Sequence, residues 1–171
     1  MVDLHLEKLN KLMRLDGVKK KVTHFHPKHL WFLNLEEYQK KYFKDIPGYE
    51  KYLEKNIINN AAYTGYYDTK PVVCFGLLNM FPGVAEAWLI PSKELKQFKI
   101  AFPFHRATKV FFDCAFDLFD LRRIQVSVDS NNLTALKWIE KLLFIREGIM
   151  KSFGPDGNDY IMLSKLNGKG E

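Results

Sequence analysis

Apolar residues recur at helical spacing near the start of the chain, where Leu4, Leu6, Leu9, Leu12, Met13 and Leu15 precede Gly17. Spacings of three and four, as from Leu6 to Leu9 and from Leu9 to Leu12 and Met13, collect most of them on one face. The pattern predicts a short amphipathic helix over 1–17, packed on the rest of the domain or on a partner, a second copy of the chain included. Residues 18–171 read as one domain. Lys21 to Phe25 reads as a strand. Helices are predicted from Leu30 to Phe43 and from Tyr49 to Ile58, divided by Pro47 and Gly48. Three strands follow, Ala61 to Tyr67, Val72 to Met80 and Val84 to Ile90. Asp68-Thr69-Lys70 and Phe81-Pro82-Gly83 join them as an antiparallel meander.

After Pro103 the period lengthens. Phe104, Ala107, Phe111, Cys114, Ala115 and Leu118 fall on one face of a long helix, and proline suits a first helical position. Ile124 to Val128 alternates as a strand, and Leu133 to Leu143 reads as a helix. Ile145 to Phe153 and Asp159 to Leu163 form a closing hairpin over Gly154-Pro155-Asp156-Gly157. An antiparallel meander followed by a helical crossover makes the class mixed α/β, not a doubly wound parallel sheet.

Composition narrows this reading. A chain of 171 residues, 47% apolar and 15% aromatic, suits one folded domain. No apolar run approaches the roughly 20 residues that cross a bilayer. The start of the chain lacks the regions of a signal peptide. A cytoplasmic location is the expectation. Cys74 and Cys114 sit in apolar stretches and read as buried, reduced thiols. The net charge of +6 favours an anionic ligand such as a phosphate-bearing cofactor. The lysines are spread along the chain, which argues against a nucleic-acid partner. His24, His26 and His29 cluster beside Trp31 without matching cysteines or carboxylates, and read as loop polarity rather than a metal site.

The most specific signal lies between Arg122 and Tyr160. The run from Arg122 through Ile124, Val126 and Val128 to Asn132 resembles the fifth strand of the Gcn5-related N-acetyltransferase family and the asparagine after it. Ala135, Glu140, Lys141, Leu142 and Phe144 continue in the register of its "N-x-x-A" and "Y-E-K-L-G-F" segments. Arg146-Glu147-Gly148 and Asp156-Gly157 match its closing hairpin. The resemblance implies that family's mixed-sheet fold, with splayed fourth and fifth strands. It also implies acyl-CoA, here acetyl-CoA, as co-substrate with an amine acceptor and no metal.

On that resemblance the pantetheine arm would lie along the backbone of Trp88, Leu89 and Ile90, adding like a missing strand. The pyrophosphate loop, R/Q-x-x-G-x-G/A in the family, falls on Ile100 to His105, where there is no glycine. The amides of Phe104, His105 and Arg106 at the helix start, with Lys96, Lys99, Arg106 and Lys109 nearby, are the expected substitute. Asn132 is assigned to the cofactor and is also a good N-cap. Glu86 matches the glutamate base of many relatives. The usual tyrosine acid is replaced by Ile139. Tyr160 would line the acceptor pocket, and the helices between Leu30 and Ile58 its wall. The glycine-free loop and Ile139 also support a second expectation, a catalytically silent scaffold or assembly protein like some phage-encoded members of the wider family.

Overall fold

In the computed structural model, which describes residues 4–40 and 47–168, helix α1 (Leu4–Leu12) leads into β1 (Lys20–His24) and a 3-10 turn (Pro27–Phe32). Then come α2 (Tyr49–Asn56), β2 (Ile57–Tyr67), β3 (Lys70–Phe81), β4 (Val84–Pro91) and a second 3-10 turn (Lys93–Lys96). The chain continues as α3 (Phe98–Leu118), β5 (Arg123–Asp129), α4 (Leu133–Lys141), β6 (Ile145–Met150) and β7 (Tyr160–Leu166). Among the described residues seven strands form one sheet, in the order β1-β2-β3-β4-β5-β7-β6. Every neighbouring pair is antiparallel except β4 and β5, which the α3 crossover makes parallel. The predicted mixed α/β class and its meander–crossover–hairpin order are therefore present.

Each face of the sheet buries its own core. On one face Val73, Phe75, Leu77, Ala85, Ile124, Val126 and Leu163 pack with Phe111, Phe112, Ala115, Leu136 and Ile139 of α3 and α4. Leu9 and Met13 join this core, so α1 packs on its own domain. The Asn10 side chain holds it there, donating to the Val22 carbonyl (3.0 Å) and accepting from the Val22 amide (2.9 Å). On the other face Cys74, Leu78, Trp88 and Ile90 lie under Leu30, Leu33, Leu35 and Leu53. A Cβ at Gly76, across from Trp88, would sit 2.6 Å from the Ala61 carbonyl oxygen, so only glycine lets β2 and β3 approach there.

Several boundaries depart from the sequence reading. The helix expected from Leu30 to Phe43 is a 3-10 turn ending at Phe32 and, after an extended stretch, a helical turn at residues 37–40; Phe43 lies outside the described residues. The turn forms early because His26 and His29 cap it reciprocally around Pro27. Asn34 is then drawn out by Ser92, whose hydroxyl accepts from its amide (3.1 Å). Helix α3 starts five residues before Pro103, at Phe98. Burying Ile100 in the core and bonding the Ile100 and Ala101 amides to the Gln97 carbonyl (both 2.8 Å) extend the helix past the proline's missing donor. Strand β6 stops at Met150, not Phe153, since Ser152 turns at φ 49 and its amide bonds Asp159 (3.0 Å). Both cysteines are free; Cys74 is buried, with its thiol pushed up to about 12 by burial, but Cys114 on α3 is only half-buried.

Candidate active site

The parallel pair is short. β4 and β5 meet over Val84↔Arg123, Ala85↔Ile124 and Glu86↔Gln125, and their pairing ends there. The closed end is clamped by the Gly83 carbonyl, which accepts from the Arg122 (2.9 Å) and Arg123 (3.2 Å) amides. Gly83 turns at φ +75, which glycine adopts without strain. Beyond Glu86 the strands follow different neighbours. β4 stays paired with β3 to Pro91, whose carbonyl accepts from Gln39 (3.0 Å), and the Lys93 amide bonds Asn34 (2.8 Å). β5 stays paired with β7 to Asp129, and Ser130 bonds the Asp159 carbonyl (2.9 Å). Two anchors on opposite sides pull the strands apart. The facing edges of 87–91 and 126–129 are left without each other as strand partners. Such an edge offers main-chain groups to an extended polar chain. Trp88, Leu89 and Ile90 lie on it.

Alternation decides what faces the gap's two sides. Ala85, Ala87 and Leu89 pack toward α3 and α4, while Trp88 and Ile90 pack toward α2 and the first 3-10 turn. Glu86, in phase with the latter, opens to that second side. On β5, Ile124, Val126 and Val128 face α3 and α4, so Gln125, Ser127 and Asp129 share the side of Glu86. The Ser127 hydroxyl donates to Glu86 Oε1 across the gap (2.9 Å). On the same face Tyr160 pairs with Asp129 and Met162 with Ser127. Tyr160 is half-buried, with its ring edge-on to Phe153 at 5.5 Å.

Two carboxylates near the apex have different surroundings. Glu147, thrown out at the bulge between Arg146 and Gly148, takes both nitrogens of the Arg123 fork (2.7 and 2.5 Å) and the Ser164 hydroxyl (2.6 Å). These bonds hold its carboxyl down to about 2, locked as an anion. Glu86 is half-buried, bonds a neutral hydroxyl and has no ion pair among the described residues. Of the two, Glu86 is the one that no cation engages among the described residues.

The far end of the gap is different. Phe104, His105 and Arg106 were expected at a helix start, with free amides. They lie inside α3 instead, past its first turn, where amides bond carbonyls one turn back. The helix is headed by Phe98, which is exposed and stacks on Phe102 (5.8 Å). Phe104 stacks on Trp138 of α4 (5.7 Å, 18° between planes) and meets the edge of Phe75 (6.4 Å). The His105 Nδ1 and the Trp88 indole nitrogen are buried without a partner among the described residues. Of the cationic residues, Lys96 pairs with Glu36 (2.5 Å) and Lys99 lies over the Tyr67 ring (5.8 Å). Asn132 caps α4 through a bond from the Ala135 amide (3.1 Å). Ile139 is buried in the core.

The structure thus brings Glu86 and the Trp88–Ile90 backbone to one gap, with Tyr160 on the same open face and Asn132 just beyond β5. Ser127 and the Arg123–Glu147–Ser164 group were not singled out from the sequence. Only the fold brings Ser127, two residues past the register partner of Glu86, to that carboxylate, and only a bulge brings Glu147 to Arg123. An apolar cavity of about 50 Å³ under α3 and an open polar cleft of about 390 Å³ beside Gly83 are lined by neither Glu86 nor Ser127. The described residues contain no group of three or more His, Cys, Asp or Glu able to hold a metal, and no helix long and apolar enough to cross a membrane.

No protein-family model and no curated protein matches the chain. Solved structures do. An acetyltransferase of the GNAT family from Bacillus anthracis matches with TM-score 0.66 at 16% identity, covering 86% of this chain and 95% of that one. The ribosomal-protein-S5-alanine acetyltransferase from Vibrio fischeri matches with TM-score 0.64 at 18% identity, covering 90% and 96%. Ard1 from Thermoplasma volcanium matches with TM-score 0.70 at 10% identity, covering 87% and 98%. At such identities the likeness concerns the fold, a seven-stranded mixed sheet with one parallel pair, and that fold is the N-acetyltransferase one.

Proposed function

We propose that this chain, with the fold of the Gcn5-related N-acetyltransferases, is an acyl-CoA-dependent N-acyltransferase that moves an acetyl group from acetyl-CoA to a primary amine. One observation carries the reading: the β4–β5 pair opens just past Glu86 and exposes a main-chain edge, with that carboxylate at the apex. The backbone of Trp88, Leu89 and Ile90 would hold the pantetheine arm. The head of α3, with Lys99, Arg106 and Lys109, would meet the phosphates through charge rather than through a glycine loop. Phe104, His105 and Asn132 would flank the coenzyme with side chains only. Glu86 takes the proton that the attacking amine must lose. The acceptor enters from the side of α2 and the first 3-10 turn, and Tyr160 lines its path. Such a reaction suits the cytoplasm.

Among the structural neighbours are a spermidine N-acetyltransferase chimera from Vibrio cholerae and human SSAT, and the S5-alanine enzyme named above. Spermidine and an alanine-initiated peptide are therefore the acceptor probes. Acetyl-CoA raises the melting temperature by mass action, and Glu86→Gln slows transfer while leaving that rise in place. A second reading rests on the aromatic, glycine-free head of α3, which suits a silent scaffold. Absence of any thermal shift at millimolar acetyl-CoA would favour it over the first.

A further inference from the structure

Taking the acyltransferase reading as its basis, we propose that Ser127 is a proton relay between Glu86 and the departing thiolate. Its hydroxyl is on β5, two residues past Gln125, the last position of that strand paired with β4. It is therefore the first side chain of β5 to reach the acceptor side beyond the apex. It spans the opening to Glu86 Oε1 at 2.9 Å. Strand pairing has ended at this level, so the bond joins the two arms through side chains. The other β5 groups on this face are committed elsewhere. Gln125 accepts from Arg123 Nε (3.1 Å), and Asp129 accepts from the Asn131 amide (2.8 Å) and Asn158 (3.2 Å). On α4, Ile139 is buried hydrocarbon and Trp138 is stacked on Phe104, so neither carries a proton to the sulfur.

The step balances. The amine nitrogen bonds the thioester carbon and the carbon–sulfur bond breaks, its electron pair leaving on sulfur. The amine's proton goes to Glu86, the Ser127 proton goes to the thiolate, and Glu86 returns a proton to Ser127 along their hydrogen bond. The products are an amide and a free thiol, and both side chains end as they began. A thiol with a pKa of about 8.5 leaves with modest help, so the relay contributes less than the base does.

The experiment compares two donors, acetyl-CoA and an acetyl thioester of a more acidic aromatic thiol, with the acceptor probes named above. Ser127→Ala is expected to lower kcat about 100-fold with acetyl-CoA and far less with the activated donor. Glu86→Gln loses as much with either. Ser127→Thr, which keeps the hydroxyl, retains most activity. The melting rise with acetyl-CoA stays at the wild-type value in Ser127→Ala. Equal losses of Ser127→Ala with both donors would overturn the relay, and so would an unaltered kcat. An active wild-type enzyme in either case leaves the acyltransferase reading standing. A wild-type chain that shows neither a melting rise nor transfer sinks that reading, and the relay with it.

Discussion

The two ends of the β4–β5 gap are built by different means. The apex is a product of strand register: Gly83 clamps the closed end, alternation aims Glu86 and Ser127 to one side, and a 2.9 Å bond joins them. The far end is a product of side-chain packing, with Phe98 on Phe102 and Phe104 on Trp138 around the head of α3. A strand edge presents the same main-chain groups whatever its side chains are, so it survives extensive divergence. A phosphate cradle needs glycines to let the backbone approach, and bulky rings remove that option. The apex is therefore set by strand geometry and offers a carboxylate beside a free main-chain edge, while the head of α3 is set by aromatic rings and a lysine laid over a tyrosine.

The strongest way to break this contrast is at the apex. Glu86→Gln should reduce turnover by about 10²–10³-fold, or about 3–4 kcal/mol in the barrier, with the acetyl-CoA melting rise unchanged. Turnover kinetics on the folded variant would read it, and an unaltered rate would place the chemistry elsewhere. The far end should respond in the opposite currency. Phe104→Ala removes a stack and an edge contact from a partly exposed ring, costing about 2 kcal/mol of stability in urea unfolding. Its kcat at saturating acetyl-CoA should stay near the wild-type value. A large fall in kcat would mean that the two ends act as one unit.

The same contrast explains what could be read from the sequence. Period-two and period-three-to-four patterns report which face is buried, and so the meander, the crossover and the final hairpin were legible. Glu86 was singled out only because a resemblance placed it, whereas the Asn132 cap was legible because capping is a local signal. Ser127 escaped notice since its partner is 41 residues away, and nothing local marks a cross-strand bond. The start of α3 was misplaced by a sound local rule, proline at the first turn, which lost to the burial of Ile100. At Pro27 a proline does sit in a first turn, and the turn it opens is 3-10 and short.

Asn132 separates capping from coenzyme contact. Asn132→Ala should cost about 1 kcal/mol through the lost bond to the Ala135 amide. Asn132→Asp should restore stability, because it caps equally well. If the asparagine also touches the coenzyme, the aspartate variant shows a smaller acetyl-CoA melting rise; calorimetry on both variants tells the two roles apart.

The smallest effect concerns the 3-10 turn that packs over the Trp88 face of the sheet. His29 Nδ1 accepts from the His26 amide (3.3 Å) and lies 2.8 Å from the Thr64 hydroxyl, tying the Pro27–Phe32 turn to β2. Burial first, and the neighbouring His26 second, push its pKa below the ordinary 6.5. The unfolded chain therefore takes up a proton at this ring before the folded one does. Stability from this group is complete above pH 6.5 and declines as pH falls from 6.5 toward the depressed folded value. A protonated Nδ1 no longer accepts from the His26 amide, so the loss falls on the Pro27–Phe32 turn. Melting curves of the wild type and His29→Gln should converge or cross as pH drops from 7.5 to 5, since only the wild type loses this contribution. Curves that stay parallel would show that the ring holds the turn by shape alone.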